Sequence, residues 1–500
     1  MRTKRQLVSS AVAYRILAWF LRLASRVFFR HIEVVGREHL PAADSGTAVL
    51  FAGNHPNSLI DPLLIITTCG RKVHFAAKDT LFKHGLMRMV LRGLGAVPVA
   101  RRDDHGGAGG KVDNDAAFTA MFDVLGAGGA IGIFPEGLSH DESQLARLKT
   151  GAARLAVGAR ARGAKVVIVP CGLTFIHPKR FRSRVLVQYG APIEVAAAST
   201  GDDERAEVRS LTERLERALR ALTINAPDWE TVRALDVVRR LYQPAEVSIE
   251  DRVELARRFN TYYPAVEDDP RVIALMARVR AYQQELDELG LSDRELADGL
   301  GHLHIGGRLL RHLGLVTFWL PMALPGAPLH LPTVLFARVA GHRLTPRKDV
   351  VATTKLVIGL LLVLLSYAAV IAVLAWKAGW GWAALAAVVL PMSGWATLRV
   401  LDRIRLVRRG LGALARLLRY RTEIDRLRAL RGELAAAVVE VVATLRPEHL
   451  RLLFPPDDPR RVPLLPSRSA ERHAELDAEF DKDAAEDRAD GAEAPEPGRP

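Results

Sequence analysis

Ala48-Val49-Leu50-Phe51-Ala52-Gly53-Asn54-His55-Pro56-Asn57-Ser58-Leu59-Ile60-Asp61-Pro62 changes character twice within one short stretch of chain. The first five residues form an unbroken apolar run, as expected of a strand buried on both faces. A polar, turn-rich segment follows. Beyond it an apolar run with helical spacing begins, and Pro62 suits the first helical position, which makes Asp61 the expected N-cap. Strand, loop and helix in that order are the unit of an α/β sheet, whose ligands meet the loops beyond the strands' carboxyl ends. His55 and Asp61 share this loop. A carboxylate on one ring nitrogen fixes the imidazole tautomer and stabilises its cation, which is what a general base acting on an alcohol requires. Taken alone, the pair fits equally well a loop histidine beside a helix cap.

Outward from this loop the alternation continues. Strands are predicted at 33–35, 48–52, 73–77, 96–100, 130–134, 165–174 and 185–189, with periodic helical segments such as 81–94 and 151–162 between them. The expected fold class is therefore α/β, a mixed sheet flanked by helices over residues 31–200, followed by a helical region and a C-terminal transmembrane hairpin. Residues 1–30 begin basic, and their apolar run is interrupted by Arg22 and Arg26 without a small-residue cleavage site, so an interfacial amphipathic helix is expected rather than a signal peptide. Residues 201–305 read as a charged helical region. Residues 306–345 are apolar but carry Pro321, Pro325, Pro328 and Pro332, the pattern of a re-entrant or interfacial segment.

Two transmembrane helices are expected within 355–398, because 356–376 and 380–398 carry no charged residue. Arg343, Arg347 and Lys348 precede them, and Arg399, Arg403, Arg405, Arg408 and Arg409 follow. That excess of cations puts both outer flanks in the cytoplasm, so an integral membrane protein with its catalytic domain on the cytoplasmic face is expected. A basic amphipathic helix is predicted over 399–453 and a disordered acidic tail over 454–500.

Composition agrees with this division. Five hundred residues exceed one hydrophobic core, and an apolar fraction of 49% is high for a soluble enzyme. The net charge is +14, yet residues 471–500 alone carry 11 acidic and 4 basic groups, leaving +21 on the remainder. Such a field suits an anionic partner: a bilayer surface, a phosphorylated substrate, coenzyme A or an acidic carrier protein. Nucleic acid is excluded, since there is no zinc spacing, RNP-like aromatic motif or isolated basic arm. Cys69 and Cys171 stand far apart, without disulfide-framework or metal-ligand spacing.

Further strand-end loops bear chemistry. After 96–100 come Arg101 and Arg102, and a guanidinium binds phosphate bidentately at any relevant pH. After 130–134 come Pro135, Glu136, Gly137, Leu138, Ser139 and His140, with Lys149 just ahead of the next helix. Gly137 permits close backbone approach, and Lys149 beside that helix's first amides is placed to hold phosphate. Glu136 either contacts a hydroxyl or binds an arginine. His302 and His304 have alternate spacing but no third ligand, so no metal is assigned.

Together these blocks resemble the glycerolphosphate acyltransferase superfamily: a histidine-to-aspartate block, an arginine block, a Phe-Pro-Glu-Gly block and a Val-Pro block, here ending at Pro170. Five residues separate His55 from Asp61, where the family usually has four. That spacing, Asn57, Ser139-His140-Asp141, Asn225-Ala226-Pro227-Asp228 and Asp349-Val350-Val351-Ala352-Thr353 resemble the branch acting on glycerol 3-phosphate and dihydroxyacetone phosphate. The resemblance implies a membrane-bound O-acyltransferase in which His55 deprotonates the acceptor hydroxyl and Asp61 orients it. It further implies that Asn57, Arg101, Glu136, Gly137, Lys149 and Pro170 bind substrate, with acyl-CoA or acyl carrier protein as donor and no metal or cofactor. The rival readings are a lysophosphatidate or other lysophospholipid acyltransferase, and a catalytically silent membrane scaffold.

Overall fold

The computed structural model of the chain describes residues 2–454, apart from 84, 101–113, 141, 143, 176, 196–203, 224–228, 244–248, 290, 292, 294–295, 297–301, 346 and 447–451. Arg101, Arg102, the acidic tail and Asn225-Ala226-Pro227-Asp228 therefore lie outside the described residues, as do the side chains of His302 and His304. The chain divides into two compact units, one comprising Met1–Asn225 with Phe336–Leu360, the other Ala226–Leu335 with Leu361–Pro500.

The first unit is built on a mixed sheet. Its strands are β1 (His31–Val35), β2 (Ala48–Gly53), β3 (Val73–Lys78), β4 (Val97–Val99), β5 (Ala130–Ile133), β6 (Val166–Phe175), β7 (Arg184–Tyr189) and β8 (Ile193–Glu194). They lie in the order β1-β7-β6-β2-β5-β3-β4, with β8 also on β6. β2, β3, β4, β5 and β6 run parallel, while β7 and β8 are antiparallel to β6. All seven predicted strands are present. The two-residue β8 carries too short a pattern to be read from sequence.

β2 lies between β5 and β6 and is buried along its whole length, which accounts for its unbroken apolar run. Alternate residues serve two cores. Val49 and Phe51 face a cluster with α1 (Arg2–Phe28) and α2 (Ile60–Thr68). Ala48, Leu50 and Ala52 face one with α4 (Asp115–Gly126), α5 (Gly151–Ala161) and α6 (Glu204–Leu222). The predicted 81–94 helix starts as a 3-10 turn at Asp79–Lys83 and becomes α3 (Gly85–Gly93).

Strand prolines sit where no ladder donor is needed. Pro98 is on the edge strand β4. Pro170 lies in β6 where its neighbour changes from β7, paired from Cys171 onward, to β8, paired at Val167 and Ile168. The α1 helix buries Tyr14, Ala18 and Phe28 and leaves Ile16, Trp19, Leu23 and Val27 exposed on its other side.

The second unit contains α7 (Trp229–Tyr242), α8 (Ile249–Val266), α9 (Pro270–Leu289) and α14 (Arg421–Leu445) around a core that includes Tyr242, Val279, Tyr282, Leu427 and Val438. The apolar helices are α10 (His302–Ala323), α11 (Ala327–Arg343), α12 (Val351–Ala378) and α13 (Trp380–Arg419). By length and composition three segments are able to cross a membrane: Leu309–Arg343, Lys348–Ala378 and Trp380–Arg408. The middle one has a mean hydropathy of 2.9 and presents Val357, Leu361, Leu365 and Trp376 outward. An apolar surface of that extent marks membrane association.

Two boundaries differ from the sequence reading. Pro321 and Pro332 lie inside helices, and the proline-rich segment bends only through a 3-10 turn at Leu324–Gly326. Ser393 braces that turn: its Oγ accepts from the Gly326 N–H at 2.8 Å and donates to the Ala323 carbonyl at 2.9 Å. Second, α13 runs on to Arg419, so the last apolar stretch and the start of the basic helix are one element. No glycine or proline stands between Trp395 and Arg409 to end it.

Candidate functional site

The parallel run of β6, β2 and β5 places their carboxyl-terminal loops side by side, and these loops hold the His55 pair. His55 follows β2 by one residue. Its Nδ1 lies 2.8 Å from Asp61 Oδ2, which also accepts the Asn57 backbone N–H at 2.7 Å. Asp61 is not the helix N-cap expected from sequence. Leu59 occupies that position without a side-chain cap, and Asp61 lies in the first turn of α2 with its carboxylate turned back into the loop. The loop's own donors hold the carboxylate there.

Asp61 is fully buried, and its Oδ1 has no hydrogen-bond partner among the described residues. Burial pushes its pKa up to about 6, against the opposing pull of His55 and the Asn57 N–H. Above that pH the carboxylate accepts only, so Nδ1 carries the imidazole proton and Nε2 is left with its lone pair. The His55 side chain is 12% exposed. Its ring stacks on Phe134 at 4.0 Å between centroids and 8° between planes. The arrangement is that of an oriented base with one nitrogen available.

Glu136 answers the question the sequence left open. Its Oε1 accepts the His55 backbone N–H at 2.8 Å, and its Oε2 takes the Ala146 N–H at 2.9 Å and meets His140 Nε2. This carboxylate is almost fully buried and meets no arginine among the described residues; it ties the loop after β5 to the loop after β2. The His140 N–H returns the tie by donating to the His55 carbonyl at 3.1 Å.

Gly137 is favoured by its backbone and lies close against Lys149. Its φ is +75°, and a Cβ there would sit 2.7 Å from Lys149 Nζ. Lys149 is exposed and donates its own backbone N–H to the Pro135 carbonyl at 2.8 Å, two residues ahead of α5. Its ammonium thus lies beside the same turn that holds Glu136. Asn57 is buried and its Nδ2 donates to the Pro178 carbonyl at 2.8 Å, so its amide is used within the protein. Pro170 is buried in β6 opposite Ala52. Thus His55, Asp61, Asn57, Glu136, Gly137 and Lys149 meet at one end of the sheet, with Pro170 inside the sheet beneath them.

Two contributors escaped the sequence reading. Asn54 bridges β2 to β6 with both ends of its amide, donating to the Leu173 carbonyl and accepting its N–H at 3.0 and 2.7 Å. Phe134 is the platform under His55. The only sequence signal for either is its position next to a block residue.

The acyltransferase family profile matches residues 31–174, and the profile described as glycerol-3-phosphate acyltransferase 2 C-terminal domain matches residues 234–450. Residues 31–174 thus resemble an acyltransferase domain, and residues 234–450 resemble the C-terminal domain of glycerol-3-phosphate acyltransferase 2. The chain is 35% identical over 279 residues to a protein named glycerol-3-phosphate O-acyltransferase 2 from Saccharomyces cerevisiae, covering 51% of this chain and 38% of the relative. Glycerol-3-phosphate O-acyltransferase 1 of the same yeast is 31% identical over 273 residues, covering 50% and 36%. An uncharacterised acyltransferase of Schizosaccharomyces pombe is 24% identical over 452 residues, covering 69% and 66%. The chain therefore spans well under half the length of the two budding-yeast relatives. The matched acyltransferase segment of this chain runs from β1 into β6 and so contains every described site residue above.

Proposed function

We propose that this chain transfers a fatty acyl group from a thioester donor, acyl-CoA or acyl carrier protein, to the sn-1 hydroxyl of glycerol 3-phosphate or dihydroxyacetone phosphate. The observation that carries the reading is the 2.8 Å contact between His55 Nδ1 and the buried Asp61 carboxylate, with the His55 side chain itself 12% exposed. Nε2 takes the hydroxyl proton as that oxygen attacks the thioester carbonyl. The tetrahedral adduct then collapses and expels the thiolate. A thiol is far more acidic than an alcohol, so the leaving group needs little help. Asp61 stabilises the imidazolium formed on the way. Lys149, beside Gly137, is a described cation near enough to hold the acceptor phosphate; Arg101, read from the sequence as a second phosphate ligand, lies outside the described residues. The yeast relatives' names support the acceptor class.

The catalytic unit is proposed to lie on the cytoplasmic face, with α1 at the lipid surface through Ile16, Trp19, Leu23 and Val27. Arg347 bonds to the Ser139 carbonyl, which requires both residues to be on one side of the membrane. The apolar segment Leu309–Arg343 between them then enters and leaves on the same side, as its prolines led one to expect, while Lys348–Ala378 and Trp380–Arg408 form the spanning pair.

The test is turnover of the purified chain in lipid, with labelled palmitoyl-CoA and with acyl carrier protein, against glycerol 3-phosphate, dihydroxyacetone phosphate and lysophosphatidate in parallel. Acylation of either small acceptor, lost in His55→Ala at equal protein level, supports the reading. Preference for lysophosphatidate transfers it to the rival acceptor class, and equal turnover by His55→Ala removes the base.

A further inference from the structure

Residues 347–355 belong to the catalytic unit although 208 positions separate Arg347 from Ser139. Arg347 grips Asp349, a nearly buried carboxylate, through Nε and Nη2 at 3.1 and 2.7 Å. The same Nη2 donates to the Ser139 carbonyl at 2.8 Å. Ser139 Oγ in turn accepts the Ser58 N–H at 3.0 Å, and Ser58 is one of two described non-glycine residues with positive φ, at 48°. Such a backbone persists only where its surroundings hold it.

The other side of the loop is held by Lys355. It is nearly buried, its stem packs so closely on Gly341 that a Cβ there would lie 2.4 Å from Lys355 Cγ, and its Nζ donates to the Lys179 carbonyl at 2.8 Å. The neighbouring Pro178 carbonyl accepts from Asn57 Nδ2. Asn57 and Ser58 are the residues between His55 and Asp61 whose amides define that turn.

We infer that residues 347–355 are a positioning clamp for the His55 loop: Arg347 with Asp349 fixes Ser139 and hence Ser58, and Lys355 fixes 178–179 and hence Asn57. Because Lys355 is already within α12, the most apolar of the helices, the loop's working geometry depends on that helix being seated. The inference rests on the reading of His55 and Asp61 as the reacting pair.

The experiment uses the full chain in lipid nanodiscs with Arg347→Met, Arg347→Lys, Lys355→Met and Lys355→Arg. Amide hydrogen exchange, which needs no turnover, is read in peptides covering 54–60 and 136–140, with 166–175 as the sheet control. The clamp predicts exchange faster by about 10-fold in both loop peptides of the methionine variants, with the control unchanged. It also predicts kcat lower by roughly 10- to 100-fold while KM for donor and acceptor stays within about twofold, since small misplacements act on the chemical step. The conservative variants should recover most of both. Should a methionine variant unfold, seen as rapid exchange in the control peptide, Arg347→Lys decides, because it keeps the charge but not the two-point grip on Asp349. The clamp then predicts a residual rise in loop exchange of about 2- to 3-fold with the control unchanged, and no rise overturns it. Unchanged loop exchange overturns the clamp, and so does a rise in acceptor KM alone, which would make Arg347 a substrate ligand. A wild-type chain without acyl transfer sinks the proposed reaction while the exchange result still judges the clamp.

Discussion

The His55 loop and the turn at 324–326 are both interruptions of regular structure inside packed surroundings, and they treat buried polar atoms in opposite ways. At the turn, one hydroxyl answers both a freed N–H and a freed carbonyl, and His330 nearby sits between Tyr367 Oη at 2.7 Å and Thr397 Oγ1 at 3.3 Å. Every polar atom named there has a partner. At the His55 loop, a carboxylate is kept fully buried with one oxygen unpartnered and its pKa raised to about 6. The first arrangement removes a liability. The second retains one, because a carboxylate in apolar surroundings couples strongly to the imidazole beside it.

That contrast is broken most directly at Asp61. Asp61→Asn keeps an acceptor for the Asn57 N–H but removes the charge that fixes the tautomer and supports the imidazolium. Acyl transfer should fall by ~10³- to 10⁴-fold, the scale seen when a catalytic carboxylate is neutralised behind histidine. Stability should move the other way. The folded pKa of about 6 lies above the usual carboxylate value of 3.8, so the native state binds the proton more tightly and the group favours folding most at low pH; that advantage is lost as pH rises through 6. Relative to wild type, Asp61→Asn should therefore gain on the order of 2 kcal/mol between pH 4 and pH 8. Melting curves at the two pH values measure it, and a pH-independent difference would mean that the carboxylate is not strained by burial.

A milder form of the same test leaves the sequence alone. As pH falls through about 6, Asp61 gains a proton and the pair loses its oriented base, so the acyl-transfer rate should drop on the acid side. A rate flat from pH 5 to 7.5 would disconnect the buried carboxylate from catalysis. Gly137→Ala comes next in size. The new methyl group meets Lys149 Nζ and the backbone is held at φ +75°, so a cost of about 1–2 kcal/mol is expected with acceptor KM raised about 10-fold. An unchanged KM would separate Lys149 from the acceptor.

Much of this was readable beforehand where one physical signal dominated. Seven strands followed from apolar runs, and the convergence of His55, Asp61, Glu136 and Lys149 followed from placing loops at parallel strand ends. Three features were hidden because the deciding partner is distant in sequence. Asp61 looked like a cap since Pro62 follows it, but Asn57 and His55 claim its carboxylate. Glu136 looked like a substrate ligand, yet His55 N–H and Ala146 N–H occupy it. The prolines of 321–332 looked like breaks, yet Pro321 and Pro332 lie inside helices, and Ser393, 67 residues beyond Gly326, braces the turn between them.

Ser393 gives the smallest expected effect on acyl transfer and the sharpest test of the other half of the comparison. Ser393→Ala leaves the Gly326 N–H and the Ala323 carbonyl without their shared partner in a buried position, where a neutral unsatisfied group costs about 1–3 kcal/mol. The loss should appear as a lower unfolding midpoint in mixed detergent, with acyl transfer per folded molecule within about twofold of wild type, since Ser393 has no part in the His55 loop. Ser393→Thr restores a hydroxyl at the same atom and should recover most of the midpoint. If alanine proves harmless, water or lipid headgroups reach the turn, and the segment 309–343 would then lie nearer the surface than a re-entrant helix pair requires.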